Sequence, residues 1–306
     1  MECKAITIDD KAIFETYLKI NEYHNSEYNF TTLFAWQEAY KIKYTILHNC
    51  LCIFGEDQGE EYAYFPLGEK HDVSKALCCI FKYFKEKDRV FRLISLSEKM
   101  LCFLREKKLE EQFDILPQRG FFDYIYKREK LVTFSGKKLN AKRNHLNYFY
   151  NNYKYEFMDI TNENEAACQE KLSDLIFSRS LDSQAEFIAT MKILKNRETI
   201  GLIGKVLYVQ GEIVGIILGQ YHHGMALIEI AKADIDYRGA SVALFQLFLK
   251  DNLTDCEEVN LMEDLGLEGL RKVKLSYKPE YLIEKFSLIA KPDLLIDESE
   301  LCHTLE

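Results

Sequence analysis

Apolar and polar positions along this chain keep changing period, from the 3.6-residue repeat of an amphipathic helix to the short apolar runs of strands. In the first half, residues 11–20 and 28–40 carry helical spacing. Tyr44-Thr45-Ile46-Leu47 and Cys50-Leu51-Cys52-Ile53-Phe54, separated by His48-Asn49, predict a strand hairpin. A strand at 62–65 stops at Pro66-Leu67-Gly68, and helix 75–84, strand 90–96, helix 97–107 and strand 121–126 follow.

The second half alternates more clearly. Residues 137–153 predict a helix with Leu139, Leu146, Phe149, Tyr150 and Tyr153 on an apolar face. Lys138, Lys142 and His145 form a stripe on another face. Strand 155–160 and helices 163–179 and 184–195 precede three strands at 202–209, 212–218 and 226–233, with Gln210-Gly211 turning tightly between the first two. Asp236-Tyr237-Arg238-Gly239 leads into helix 240–251, and strand 259–262, helix 267–275 and strand 282–290 complete the chain. Strands alternating with helices predict an α/β protein with mixed sheets flanked by helices. The expected boundary lies near residue 134, giving domains 1–134 and 135–306.

Composition supports two globular domains. The chain has 306 residues, 47% of them hydrophobic, and only four Pro and 14 Gly, too few for long linkers. The start, Met1-Glu2-Cys3-Lys4, lacks a basic-then-apolar signal, and no run approaches the length of a membrane span, so a cytoplasmic protein is expected. The nine cysteines form no CxxC pair, so they are expected to be reduced, structural thiols without a metal. His222-His223 is expected as a solvated pair in a loop.

A net charge of −9 weighs against general nucleic-acid affinity. Against that background, Lys127, Arg128, Lys130, Lys137, Lys138, Lys142 and Arg143 face only Glu129 in a local basic segment. It is either a phosphate-binding element or a solvated helix face.

Two stretches carry candidate chemistry. At Arg238-Gly239-Ala240-Ser241 a strand turns into an apolar helix, which points backbone N–H groups and a helix N-terminus at one spot. At 260–264, acids follow a strand, where open α/β sheets place ligands. There Glu263 or Asp264 suits a general base, and Lys274 a phosphate or carboxylate; the plainer alternative is a helix cap by Asp264 and a surface lysine.

Gly136-Lys137-Lys138, Lys142-Arg143-Asn144-His145-Leu146 and Phe149, then Arg238-Gly239, resemble the lysyl-phosphatidylglycerol synthase C-terminal-domain family. So does the block from Glu263-Asp264-Leu265-Gly266 through Gly269-Leu270-Arg271-Lys272 and Lys274 to Ser276-Tyr277-Lys278-Pro279. Tyr28-Asn29-Phe30-Thr31, Leu33 and Trp36 resemble its soluble members, so the likeness covers nearly the whole chain. The resemblance implies two tandem N-acetyltransferase-like (GNAT-type) domains, similar to Fem-type aminoacyl transferases, the first structural and the second bearing the site. It implies transfer of an acyl group from a charged tRNA or an acyl-CoA to an amine or hydroxyl on a small molecule, peptide or lipid headgroup, with no permanently bound cofactor. Glu263 and Asp264 would then be catalytic, and Arg238, Gly239, Lys274, Lys138, Lys142 and Arg143 would hold the donor.

The chain departs from the family pattern at several polar positions. Ala231-Lys232-Ala233 stands where the family has Glu-Lys-Ala, Val242 and Phe245 where it carries Gln and Asn, and Leu261-Met262 within its Asn-Arg-Glu-Glu-Asp block. Joint loss of polar partners is what an altered site shows, so a ligand-binding protein on the same fold is the alternative expectation.

Overall fold

The structure, a computed structural model, describes residues 1–107, 112–178 and 183–291. The expectations for residue 179 and for everything after 291 lie outside these. The chain opens with β1 (Lys4–Ala5), α1 (Lys11–Asn21), α2 (Phe30–Trp36), β2 (Lys43–Leu47), β3 (Cys50–Asp57) and β4 (Glu60–Tyr64). After them come α3 (Lys70–Glu86), β5 (Arg92–Leu96), α4 (Glu98–Glu106) and β6 (Phe113–Pro117). His48 and Asn49 both adopt positive φ, the backbone that closes a two-residue hairpin with the strands' own twist. Helix α3 buries Val73, Ala76, Leu77, Ile80, Phe81 and Phe84, the i, i+3, i+4 pattern of a helix lying on a sheet.

The next stretch contains β7 (Asp123–Lys127), α5 (Arg128–Thr133), α6 (Asn140–Asn152), β8 (Tyr155–Asp159), α7 (Glu165–Phe177), α8 (Gln184–Lys195) and α9 (Arg197–Ile200). It continues through β9 (Ile203–Val209), β10 (Glu212–His222), β11 (Met225–Ala233), α10 (Ala240–Asp251), β12 (Glu258–Asn260), α11 (Glu268–Ser276) and β13 (Tyr281–Ile283). The last strand, β14, is Phe286–Ala290.

These elements form two compact units. The first, Met1–Phe122 with the chain from Ile283 onward, holds a seven-stranded sheet ordered β1-β2-β3-β4-β5-β14-β6. The second, Asp123–Leu282, holds a seven-stranded sheet ordered β13-β7-β12-β11-β10-β9-β8. In each sheet one parallel pair, β4 with β5 and β11 with β12, interrupts antiparallel neighbours. Helix α10 buries Ala240, Val242, Ala243, Leu244, Leu247, Phe248 and Leu249, apolar on nearly every side because sheet, α5 and α6 all pack on it.

The units divide earlier than residue 134, because β7 pairs with β12 and so belongs to the second sheet. The chain after 282 also returns to the first unit. The continuous strand expected over 282–290 is two strands in different sheets, split at Glu284-Lys285. Lys285, fully buried, pairs there with Glu27 at 2.6 Å and Ser26 Oγ at 3.0 Å. His222 is buried at the end of β10, not a solvated loop residue, since β10 runs on past Leu218 to reach it. No helix among the described residues is long and apolar enough to cross a membrane.

Candidate functional site

In the second unit β12 pairs with β11 only at Met225, Ala226 and Leu227, and β11 runs on to Ala233 beyond that register. After Asn260 the chain turns to β7 instead: Leu261 N–H donates to Tyr124 O at 3.1 Å, and Tyr124 N–H to Met262 O at 3.1 Å. The two parallel strands therefore part, and the loop after β12 stands at the opening, as the sequence position of Glu263 and Asp264 requires.

That loop is held by buried polar groups. Asp264 is fully buried and accepts a bidentate pair from Arg271, Nε to Oδ2 at 2.8 Å and Nη2 to Oδ1 at 2.9 Å. Tyr124 Oη donates to Oδ2 at 2.5 Å, and Gly266 N–H to Oδ1 at 2.9 Å. Burial alone would push this carboxyl up, but the Arg271, Tyr124 and Gly266 bonds outweigh it and hold the group well below the carboxylate range. A carboxylate so held is a weak base, and Asp264 anchors the loop. Lys274 Nζ donates to the carbonyls of Leu261 and Met262, so this ammonium too supports the loop. Glu263 differs: its Oε2 is buried and has no hydrogen-bond partner.

A second group forms where α6 crosses the start of α10. Gly239 has φ 90°, and a Cβ there would lie 2.2 Å from the His145 carbonyl oxygen, so only glycine lets the two backbones approach this closely. The crossing brings Arg238 beside α6, its guanidinium over the Tyr148 ring at 4.4 Å. His145 is held below its ordinary range by burial and by the charges of Arg238 and Lys142. Lys142 is half-buried, its ammonium 3.6 Å from the centroid of the Tyr277 ring, and burial pushes its pKa down to about 8. Tyr277 is itself buried and stays protonated, its hydroxyl pushed up to about 12 by burial. None of Lys142, His145 and Arg238 has a carboxylate partner among the described residues. In a chain of net charge −9 that leaves two cations, Lys142 and Arg238, and an imidazole that a bound anion would protonate.

The structure thus brings Arg238, Gly239 and Lys142 together, and places Glu263 and Asp264 in the loop after β12, which Lys274 supports from α11. Lys138 is exposed. Arg143 turns away, donating to Phe134 O at 2.6 Å, Gly136 O at 3.3 Å and Asn140 Oδ1 at 3.0 Å, which fixes the turn before α6. Tyr124, Arg271, Tyr148 and Tyr277 join these groups and were not among the expected site residues. The available signal for Arg271 and Tyr277 was their place in the family-like block at 263–279. A recess of about 580 Å³ lined by Val132, Tyr150, Tyr155, Gln246, Leu247 and Lys250 contains none of the expected site residues.

The parallel pair of the first unit has no such opening. Beyond Ala63 and Tyr64 its strands part as well, but Tyr28 Oη accepts from Phe65 N–H at 3.3 Å and Asn25 Nδ2 donates to Ser95 O at 2.8 Å. The segment before α2 therefore fills the space.

The state of Lys142 predicts a stability change. Its proton is held less tightly folded than unfolded, so a penalty exists below about pH 8 and fades as pH rises towards 10.5. Lys142→Met should raise unfolding stability at pH 7 by about 1–2 kcal/mol. Chemical denaturation at pH 7 and pH 10 tests this, the gain shrinking at the higher pH.

The sequence profile described as "Phosphatidylglycerol lysyltransferase, C-terminal" matches residues 18–289. Similar in structure is a conserved protein of unknown function from Bacteroides thetaiotaomicron, at TM-score 0.87 and 30% identity over 95% of this chain and all of that one. L-PGS from Bacillus licheniformis aligns at TM-score 0.66 and 16% identity over 96% of each chain, a likeness of fold. A tandem GNAT protein from the clavulanic acid biosynthesis pathway (TM-score 0.51, 10% identity, 95% of this chain and 99% of that one) and FemX (0.57, 8%, 94% and 97%) share the fold as well. An uncharacterized protein of Mycoplasmoides gallisepticum is 27% identical over 170 residues, and the match spans about half of each chain (54%). The two mixed sheets are thus tandem GNAT-type domains similar to Fem-type ones, and the chain belongs to the phosphatidylglycerol lysyltransferase C-terminal family.

Proposed function

We propose that the second unit transfers an activated acyl or aminoacyl group, acting in the cytoplasm, and that the first unit is structural. The observation that carries this reading is the cluster of Lys142, His145 and Arg238 without carboxylates at the start of α10, next to the parting of β11 and β12. Those cations and the α10 N-terminus would hold the phosphates of a charged tRNA or an acyl-CoA. The acyl carbonyl would lie towards the parting strands, where the acceptor attacks directly and Glu263 takes its proton. No covalent enzyme intermediate is required, since an amine attacks an ester or thioester carbonyl unaided once deprotonated. Asp264, Arg271, Tyr124 and Lys274 position Glu263 through the loop.

The test is binding of CoA and inorganic pyrophosphate across pH. A bound anion favours protonated His145, whose charge the free site disfavours, so affinity should rise as pH falls through about 6.5. Arg238→Ala should weaken binding by roughly ten- to a hundredfold, the weight of one charge-assisted contact. Binding that ignores both pH and Arg238 would count against this donor site.

A second reading, ligand binding without turnover, is favoured by the replaced positions. Val242 and Leu261 are buried in the hydrophobic core, and Ala231 and Phe245 pack against it. Donor binding with no transfer to any amine or alcohol would favour this reading.

A further inference from the structure

The loop carrying Glu263 has an unusual backbone. Met262 at φ 60° and Leu265 at φ 53° are left-handed non-glycine residues, a conformation that costs energy for any side chain, followed by Gly266 at φ 74°. Such conformations persist where surrounding bonds over-determine them. Here Met262 N–H donates to Asn260 Oδ1 at 2.7 Å, Met262 O accepts from Tyr124 N–H and Lys274, and Asp264 is clamped by Arg271. The fixed backbone carries Glu263 with Oε2 out of solvent and without a donor. The cationic groups along this loop point elsewhere: Arg271 to Asp264, Lys274 to the carbonyls of Leu261 and Met262. A shielded carboxylate oxygen without a hydrogen bond costs its full desolvation, which a bound donor would recover.

From this geometry we infer that Glu263 is a subsite for a primary ammonium group, and that the acceptor is an amine and not an alcohol. Naming the acceptor rests on the transferase reading; the ammonium subsite does not. An ammonium brings Glu263 both a charge-assisted N–H bond and an opposite charge in a shielded setting, whereas a neutral hydroxyl brings the hydrogen bond alone. One ammonium proton passes to Glu263 Oε2, leaving a neutral amine whose lone pair forms the C–N bond to the acyl carbon. The C–O or C–S bond to the donor then breaks, and the second nitrogen proton leaves with the tRNA hydroxyl or the CoA thiol. Glu263 returns its proton to solvent, so the sum is an amide, a free donor and one released proton.

The experiment is titration of the full chain with n-butylammonium and with neutral n-butanol, followed by ligand-observed NMR. Wild type should bind the ammonium and not the alcohol. Glu263→Gln, which keeps the shape, should lose at least tenfold in affinity with its melting curve unchanged. Glu268→Gln, at an exposed carboxylate on α11, should bind as wild type. Equal binding of ammonium and alcohol, or full ammonium binding by Glu263→Gln, overturns the subsite. A stable 3′-amide analogue of aminoacyl-adenosine separates the two sources of an ammonium. Simultaneous binding with n-butylammonium supports the acceptor, whereas Glu263-dependent displacement gives the subsite to the donor's amino group and overturns the amine-acceptor assignment. Ammonium binding without CoA or pyrophosphate binding would sink the transferase reading and leave the subsite standing.

Discussion

Replacing Arg271 with alanine should destabilise the second unit more than replacing its partner Asp264. Without the guanidinium, a fully buried carboxylate loses its bidentate cation, while the Tyr124 hydroxyl and the Gly266 N–H still donate to it. Stripping the Asp264 charge of its cation is expected to cost about 3–5 kcal/mol. Asp264→Asn removes the buried charge itself and leaves Arg271 near the surface, where water replaces the lost partner. The pH dependence distinguishes the causes. In the wild type the Asp264 carboxyl is depressed, so its contribution exists above the ordinary carboxylate range and is lost as pH falls below it. In Arg271→Ala burial wins and the carboxyl rises, so the variant loses stability as pH rises through that range. Urea unfolding at pH 4 and pH 7 should therefore show the gap between wild type and variant widening at pH 7. A gap independent of pH would mean that lost packing, and not a stranded charge, is the cause.

Gly239→Ala is the second large effect. A Cβ there would sit 2.2 Å from the His145 carbonyl oxygen and 3.0 Å from Phe149 Cβ, on a backbone at φ 90°. Backbone oxygen cannot swing aside as a side chain does, so α6 must move off α10. The expected cost is about 2–4 kcal/mol, and the shift carries Lys142 and His145 away from Arg238, so CoA or pyrophosphate binding should fall with it. Gly211→Ala is the control. Its φ is 87°, but nothing lies within 4 Å of the added Cβ, so it should cost about 1 kcal/mol and leave binding intact. Comparable losses at both positions would show backbone conformation alone at work and remove the close crossing as the cause.

Local pattern made some of the molecule legible in advance. Helix α10 occupies 240–251 as expected, because the Gly239 turn and a nearly all-apolar run mark its start and its buried setting. The turns at Asn49 and Gly211 were readable because their chemistry is local. The end of the chain was not. Leu282-Ile283 and Phe286–Ala290 have a strand's composition, but only the pairing partners divide them between two sheets, and partners are tertiary information. The same limit applied at the site. Lys142, Arg238 and Gly239 could be chosen from their setting on a helix and a turn. That Arg143 would be spent on the carbonyls of Phe134 and Gly136, or Asp264 on Arg271, depends on contacts that spacing does not encode. Tyr124 and Tyr277 are core aromatics, and the bond of the first to Asp264 and the contact of the second with Lys142 give them a second role that only contacts reveal.

Equilibrium binding of charged and deacylated tRNA at two salt concentrations, with acetyl-CoA as competitor, tests the donor site most directly. The expected result is saturable, salt-sensitive binding of charged tRNA or of acetyl-CoA that Arg238→Ala weakens at least tenfold. Binding of neither, or binding that Arg238→Ala leaves unchanged, would contradict a donor site at the crossing of α6 and α10.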